Sequence, residues 1–341
     1  MNKLILPFIA VLCLAAMPVL AQQKPQFSQY TLNNYLANPA ISGIEDYTDV
    51  KFGTRHQWSG LEGAPVTYYT TVHMPLNKDL TAKYGSRKFK DVPKEATTKR
   101  VNMYRRVKAH HGIGATAMTT KTGVLKRSSL NLSYAYHQPL TRTLRFSAGV
   151  APGLIQYSLD PSRIRAVNMN DPALNDGRAN ETKFDLNLGF WLYSPIFYVG
   201  VSGSQLLPSQ REYMITTTSG ADQSGELQQH YYTTAGYRFN VAPGLAVIPS
   251  VMVKMATPSP ASVDANMKVM YADRLWAGVS YRHNEAVAAM AGINISPLMD
   301  LAYSYDAGTS PLRGANSGSH EVVLGLKLRN AAKVLCPNWA W

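Results

Sequence analysis

The chain contains the stretch KFDLNLGFWLY at residues 183–193, in which large apolar side chains occupy every second position. Phe184, Leu186, Leu188 and Phe190 alternate with Asp185, Asn187 and Gly189. A period of two is typical of a β-strand with one apolar and one polar face, because successive side chains point to opposite sides. The stretch therefore predicts a strand and not an amphipathic helix.

The same alternation recurs along most of the chain and predicts an all-β protein. Many of the segments are about 9–12 residues long, which is longer than the ~5–6 residues usual in soluble sheets. The predicted strands are 47–59, 66–75, 110–119, 129–139, 143–154, 183–194, 196–206, 229–240, 245–254, 262–272, 274–283, 286–296, 298–308 and 319–329. In a sandwich the apolar face would meet a second sheet, whereas in a membrane barrel it would meet lipid.

The lengths of the connections favour the membrane barrel. Long polar connections alternate with short turns, as in outer-membrane barrels with short periplasmic turns and longer outer loops. The expected outer loops are 60–65, 120–128, 155–182, 207–228, 255–261, 284–285 and 309–318. We therefore predict a transmembrane antiparallel β-barrel of about 14 strands over residues 47–329, with both chain ends in the periplasm.

The chain ends suggest export. Residues 1–21 are weakly basic, then apolar, then end in small residues, which predicts a cleaved signal peptide; a membrane anchor is the alternative. Residues 22–46 are expected to form a periplasmic or plug-like segment, and residues 330–341 a periplasmic tail. Cys336 would then be the remaining cysteine of an exported chain, without a partner for an internal disulfide.

A basic run breaks the rule of short inner turns. Ten lysines and arginines lie between residues 83 and 108, and the net charge of the whole chain is +13. Export makes nucleic acid an unlikely ligand, so we expect an acidic protein face or anionic lipid as the partner. The candidate partner-binding residues are Lys99, Arg100, Arg105, Arg106 and Lys108.

The sequence contains only weak signals for metal binding or catalysis. His110 and His111 are adjacent, so on a strand they point to opposite faces and cannot easily share an ion. The other histidines have no ligand spacing, and serine, histidine and aspartate form no nucleophile motif. We expect no metal, no cofactor and no enzymatic activity.

Four short motifs carry a family resemblance. They are PQFSQY at 25–30, NPA at 38–40, RHQWSGLEGAP at 55–65 and HMPL at 73–76, and the tail CPNW at 336–339 adds to them. In this order they resemble the PorP/SprF family of Bacteroidetes outer-membrane proteins. The motif residues singled out are Phe27, Gln29, Tyr30, Asn34, Asn38 and Pro39 in the first segment, and Arg55, Gln57, Trp58, Gly60, Gly63, Ala64 and Pro65 in the second.

The resemblance implies a non-enzymatic component of the type IX secretion and gliding machinery in the outer membrane. It implies a periplasmic peptidoglycan-binding OmpA-like lipoprotein and ring or motor components as partners. It also implies an exported substrate, or the C-terminal domain of a surface adhesin, as cargo. Lipopolysaccharide would surround the barrel. A channel for small or hydrophobic solutes is the alternative function for the same fold.

The motif residues also have a physical interpretation. The Asn-rich segment with Phe27, Tyr30 and Tyr35 cannot cross lipid with unpaired amides, but it could fold into a polar lumen as a plug. A flexible periplasmic leader is the alternative. Gly60, Gly63 and Pro65 suit a tight hairpin loop, and Trp58 suits an interfacial belt.

Overall fold

The fold is described from a computed structural model of the chain. It covers residues 33–77, 108–159, 180–207, 210–211, 225–226, 228–256, 259–283, 285–309 and 316–330. The predicted signal peptide, Phe27, Gln29, Tyr30, the basic residues from Lys99 to Arg106, and Cys336 lie outside these ranges.

Seventeen strand segments and two short 3-10 helices make up the described chain. The helices are Asn34–Leu36 and Pro39–Ile41. The strands are β1 (Thr48–His56), β2 (Val66–Leu76), β3 (His110–Thr122), β4 (Leu125–Pro139), β5 (Arg145–Leu159), β6 (Asn180–Tyr193), β7 (Phe197–Ser204), β8 (Gln210–Arg211), β9 (Gly225–Glu226), β10 (His230–Tyr237), β11 (Phe239–Ala242), β12 (Leu245–Ala256), β13 (Ser259–Tyr271), β14 (Leu275–Arg282), β15 (Ala286–Ser296), β16 (Met299–Gly308) and β17 (Ser319–Leu328).

The strands form one closed antiparallel sheet. Every crossing pairs with its neighbours in sequence, and β1 pairs with β17 from Thr48 opposite Leu328 to His56 opposite His320. β10 and β11 both pair with β12 and are separated by Arg238, so together they make one crossing. The described barrel therefore has fourteen crossings, as predicted, with β8 and β9 as a separate two-stranded ladder.

The two ends of the barrel differ. One end, here called the terminal rim, carries the start of β1, the end of β17 and the turns at 140–144, 194–196, 272–274 and 297–298. The connection from β2 to β3 also starts and ends at this rim. The opposite end, the distal rim, carries the 57–65 loop and the β3–β4 turn.

The polarity of the two strand faces is the reverse of that in a soluble protein: apolar side chains face outward and polar side chains face inward. On β6 the outward side chains of Phe184 and Phe190 are 77% and 53% exposed, whereas the inward Asp185 and Asn187 are 6% and 7% exposed. An apolar outer face matched to lipid and a polar inner face are what a membrane barrel requires. This confirms the predicted fold. No helix among the described residues is long and apolar enough to cross a bilayer.

Two predicted outer loops are much shorter in the structure. The loop expected at 120–128 is a two-residue turn at 123–124, because β3 and β4 pair as far as Thr122 opposite Leu125. Likewise β12 continues to Ala256 and β13 begins at Ser259, within the loop expected at 255–261. The outward side chains at the distal end of β4 are polar, for example Lys126 and Ser128, so the alternation of polarity that marks a strand is lost there.

We predict that Leu188→Arg destabilises the barrel by about 2–4 kcal/mol, because it places a charge on the lipid face near mid-height. Thr182→Arg, on the same face of β6 but nearer the distal rim, should cost no more than about 1 kcal/mol. Equilibrium unfolding in liposomes measures both. Equal costs at the two positions would contradict the assignment of the lipid-facing surface.

Candidate functional site

Residues 33–47 lie inside the barrel against its polar wall. The side chains of Asn33, Asn38 and Ser42 are all buried. Asn38 begins the second 3-10 helix, where its Oδ1 accepts a hydrogen bond from the Ala40 amide at 2.9 Å and Pro39 follows at the first helical position. This is a usual N-cap arrangement. The segment therefore has local structure of its own and does not extend the sheet.

Inward-facing residues of the wall satisfy the backbone of this segment. Ser202 Oγ donates to the carbonyl of Ala37 at 2.7 Å, and Ser147 Oγ donates to the carbonyl of Ala40 at 2.6 Å. Asn38 Nδ2 donates in turn to the wall, to the carbonyl of Phe190 at 3.0 Å. Buried backbone groups need such partners. The polar inner face supplies them.

Three histidines bind the turn at Ser42 and Gly43. His137 Nε2 donates to the carbonyl of Ser42 at 2.7 Å, and His110 Nε2 donates to the carbonyl of Gly43 at 3.1 Å. His73 Nδ1 accepts from the Gly43 amide at 3.2 Å. The rings of His110 and His137 stack with centroids 4.4 Å apart. These bonds require a proton on Nε2 of His110 and of His137, and none on Nδ1 of His73.

Glycines of the wall allow the segment to approach closely. A Cβ at Gly112 would overlap the carbonyl of Ser42, and one at Gly149 would overlap the backbone of Ala40. Both glycines are interior strand positions, where glycine is otherwise unfavourable. Their position on β3 and β5 is explained by the contact with the segment.

Apolar side chains of the segment reach across the lumen. A first cluster of buried side chains joins the segment to β6, β7 and β12, and consists of Tyr35, Ala40, Ile41, Ile44, Trp191, Tyr193, Tyr198 and Ile248. Leu36 packs against a second cluster, which consists of Tyr69, Met270, Trp276, Met290, Ala302 and Val323. The segment thus contacts walls on both sides of the barrel. Burial raises the pKa of the Tyr35 hydroxyl, which hydrogen-bonds Ser133.

A buried ionic network occupies the lumen towards the distal rim. Arg55 binds Asp306 at 2.7 Å and Glu321 at 3.1 Å. Arg282 binds the same carboxylate oxygen of Asp306 at 2.8 Å, and Tyr69 donates to Glu321 at 3.0 Å. Removing one member of a buried pair typically costs about 3–5 kcal/mol, because a charge is left unpaired. The network therefore ties β1, β2, β14, β16 and β17 together inside the barrel.

A second ionic group lies nearer the terminal rim. Lys51 pairs with Asp49, and His73 Nε2 lies 3.6 Å from the same Asp49 oxygen. Lys327 pairs with Asp300 at 3.3 Å. His73 therefore joins this group to the turn at Gly43. Within the described part of the chain, no three His, Cys, Asp or Glu side chains are grouped to hold a metal ion.

The second motif forms a docked loop at the distal rim. Gln57, Trp58, Gly60, Gly63, Ala64 and Pro65 all lie in the 57–65 loop. The Gln57 amide donates to the Pro65 carbonyl at 2.9 Å, which closes the loop, while Gly60 and Gly63 adopt positive φ. Trp58 also has positive φ, and its amide donates to Ser319.

The other residues predicted from the motifs and the basic run lie in different parts of the molecule. Asn34, Asn38 and Pro39 lie in the lumen, Arg55 lies in the distal network, and Lys108 is exposed at the terminal rim. Phe27, Gln29, Tyr30, Lys99, Arg100, Arg105 and Arg106 fall outside the described residues. The histidine group was missed, although His73 lies in the HMPL motif and its inward parity was visible. His110 and His111 do point to opposite faces, since His111 bonds Tyr134 on the outer surface at 2.6 Å.

Comparison with protein families decides the identity. Residues 19–326 match the model described as type IX secretion system membrane protein PorP/SprF. The chain belongs to this family. PorP/SprF membership makes it a membrane component of the type IX secretion system and places it in the outer membrane.

Solved structures similar to this PorP/SprF protein include an outer membrane protein, a transporter and a channel. Omp33 of Acinetobacter baumannii is 9% identical, with 84% of this chain and 100% of that chain covered and a TM-score of 0.46. The P. putida toluene transporter TodX is 11% identical, with 87% and 94% covered and a TM-score of 0.46. The CymD monoaromatic hydrocarbon channel is 10% identical, with 88% and 91% covered and a TM-score of 0.46. No curated protein sequence matches this chain significantly.

We predict that Gly112→Ala displaces the turn at Ser42 and Gly43 and destabilises the protein by about 1–3 kcal/mol, as overpacking does. Hydrogen–deuterium exchange of residues 38–44 should become faster. Gly308→Ala is the matched control, because a Cβ there meets no atom within 4 Å. Unchanged exchange in Gly112→Ala, or equal acceleration in both variants, would rule out the close contact.

Proposed function

We propose that this PorP/SprF protein is a non-catalytic docking component of the type IX secretion and gliding machinery. It holds an exported substrate, or the C-terminal domain of a surface adhesin, at the distal rim. At the terminal rim it binds periplasmic partners, namely a peptidoglycan-binding OmpA-like lipoprotein and ring or motor components. The observation that carries the proposal is that residues 33–47 occupy the lumen and contact both sides of the wall.

An occupied lumen favours docking over transport. A channel needs a continuous path, and here the segment of residues 33–47 and the distal network lie one after the other along the barrel axis. Arg55, Asp306 and Glu321 are each almost fully buried, so water has little access to them. Moving such a network aside would expose unpaired charges at a cost of several kcal/mol. We therefore assign residues 33–46, the described part of the 22–46 segment expected from the sequence, the role of a plug.

The topology supports an assignment of sides. The two chain ends of the barrel and the β2–β3 connection share the terminal rim. Short turns connect the other neighbouring strands at this rim, and such turns are typical of the periplasmic side. We infer that the terminal rim faces the periplasm. The basic run at 83–108 is then available to periplasmic proteins.

Planar-bilayer recording tests the docking role against transport. We expect wild-type protein to show no stable open channel, because the plug and the network block the lumen. Deletion of residues 26–40 should open a pore or lower the melting temperature. Deletion of residues 331–341, a truncation at the other chain end, should do neither.

The same preparations separate the two functions. Purification in mild detergent followed by identification of bound chains should recover secretion-system proteins. A wild-type barrel that conducts small solutes steadily and retains no protein partner would establish the channel function instead.

The basic run generates a second expectation. Replacing Arg100, Arg105, Arg106 and Lys108 by Gln should weaken retention of periplasmic partners and reduce its salt sensitivity, because salt screens the attraction between solvated charges. The control replaces Arg142, Arg274 and Arg329, which are exposed at the same rim. A protease should cleave the run only after the outer membrane is opened. Cleavage in intact cells would invert the assignment of sides.

A further inference from the structure

A row of outward-facing side chains, four of them histidine or lysine, crosses five strands at the distal rim. The register aligns His320 with His56, His56 with Val66, Val66 with Lys121 and Lys121 with Lys126. Directly opposed residues share one face of a sheet. With strands about 4.8 Å apart, the row from His320 to Lys126 spans on the order of 20 Å around the outer surface.

The row lies where the outer surface of the barrel changes from apolar to polar. On β4 the outward side chains change from the exposed Leu132 and Leu130 to Ser128 and then Lys126. Tyr68 and Tyr305 are exposed beside the row, and His56 and His320 contact their rings. Aromatic side chains mark the membrane interface. The row is therefore at the level of lipid head groups.

The two lysines make this part of the surface strongly attractive to an anion. Lys121 and Lys126 are directly opposite each other, and like charges in that position repel. Both side chains are exposed, and neither forms an ion pair with any residue that the structure describes. The adjacent 57–65 loop carries a single carboxylate, Glu62, which is also exposed.

A groove adjoins the row. It has a volume of about 420 Å³ and lies between the 57–65 loop and the strands, lined by His56, Val66, Lys121 and the loop glycines Gly60 and Gly63. The amides of Gly60 and Gly63 donate to no acceptor in the described chain, and both glycines have positive φ. Backbone amides at such turns bind anions. The groove thus has a cationic edge and lies beside a loop with two unused backbone donors.

The loop that roofs the groove is held on both sides. The Gly123 amide donates to the Gly63 carbonyl at 2.9 Å, and the Ser59 amide donates to the Gly318 carbonyl at 2.8 Å. The Ser317 amide donates back to Ser59 at 2.8 Å. The groove is therefore a formed feature of the rim and does not depend on a ligand to order the loop.

We propose that this groove binds the phosphate-bearing head group of an outer-leaflet glycolipid, the lipid A part of lipopolysaccharide. Lys121 and Lys126 pair with its phosphate, the groove holds the adjoining sugar, and the acyl chains lie along the apolar surface below. The distal rim is the cell-surface side in the topology inferred above, which selects lipid A over a periplasmic-leaflet phospholipid. The site is independent of the docking role.

Full-length protein in phosphatidylcholine nanodiscs is titrated with phosphorylated lipid A, dephosphorylated lipid A and phosphatidylglycerol, and bound lipid is counted by native mass spectrometry. We expect Lys121→Gln with Lys126→Gln to weaken binding of phosphorylated lipid A by about five-fold per lysine, roughly 25-fold together. Wild-type protein should bind dephosphorylated lipid A as weakly as the double lysine variant binds phosphorylated lipid A. Arg142→Gln, at the opposite rim, should bind like wild-type, and thermal melting should confirm that every variant is folded.

Three outcomes would overturn the site. The first is equal lipid A affinity in wild-type and the double lysine variant. The second is an equal loss in Arg142→Gln, which would indicate attraction by net charge alone. The third is lysine-dependent binding of phosphatidylglycerol as tight as that of lipid A, which would assign the groove to a glycerophospholipid. Because partner retention is measured separately, none of these results bears on the docking role.

Discussion

The structure depends on the requirement that backbone amides and carbonyls in lipid be hydrogen-bonded within the protein. β1 meets this requirement by pairing with β17, which closes the described sheet into a barrel. Closure then determines the distribution of side chains. Apolar residues must face lipid, so the polar half of every strand is directed into an enclosed space. What would be the solvated face of a soluble sheet becomes the interior of this protein.

Polar groups that face this interior need hydrogen-bond or ion-pair partners. They find them in two different ways along the barrel axis. Near the terminal rim, the segment of residues 33–47 receives hydrogen bonds from Ser147, Ser202 and the histidines. Towards the distal rim, charged side chains satisfy one another, with Arg55 bridging Asp306 and Glu321. In both places the polar wall is matched by polar groups of the protein, whereas the interior of a porin is filled with water.

The strands were predictable because alternation is a local signal. All fourteen crossings overlap a predicted strand, and at 120–128 and 255–261 the strands extend into the expected loops. At 120–128 Lys126 and Ser128 make the outer face polar. The partners inside the lumen were not predictable. Arg55 and Asp306 are 251 positions apart, and their meeting follows from closure and register. His110 and His137 meet for the same reason. The Asn-rich segment suggested a luminal location, and its role as a plug stays a prediction.

The location of residues 33–47 also constrains the order of assembly. The segment immediately precedes β1, yet its partners lie mainly on β3 to β7. The β1–β17 seam joins the most distant parts of the sheet, and such pairings are expected to form late. If the β1–β17 seam closed first, the segment would have to enter through an open end of the barrel. It would then have to replace its hydrogen bonds to water by hydrogen bonds to the wall in a confined space. We therefore expect the wall to fold around the segment, so that the segment acts as an internal template over which the barrel closes.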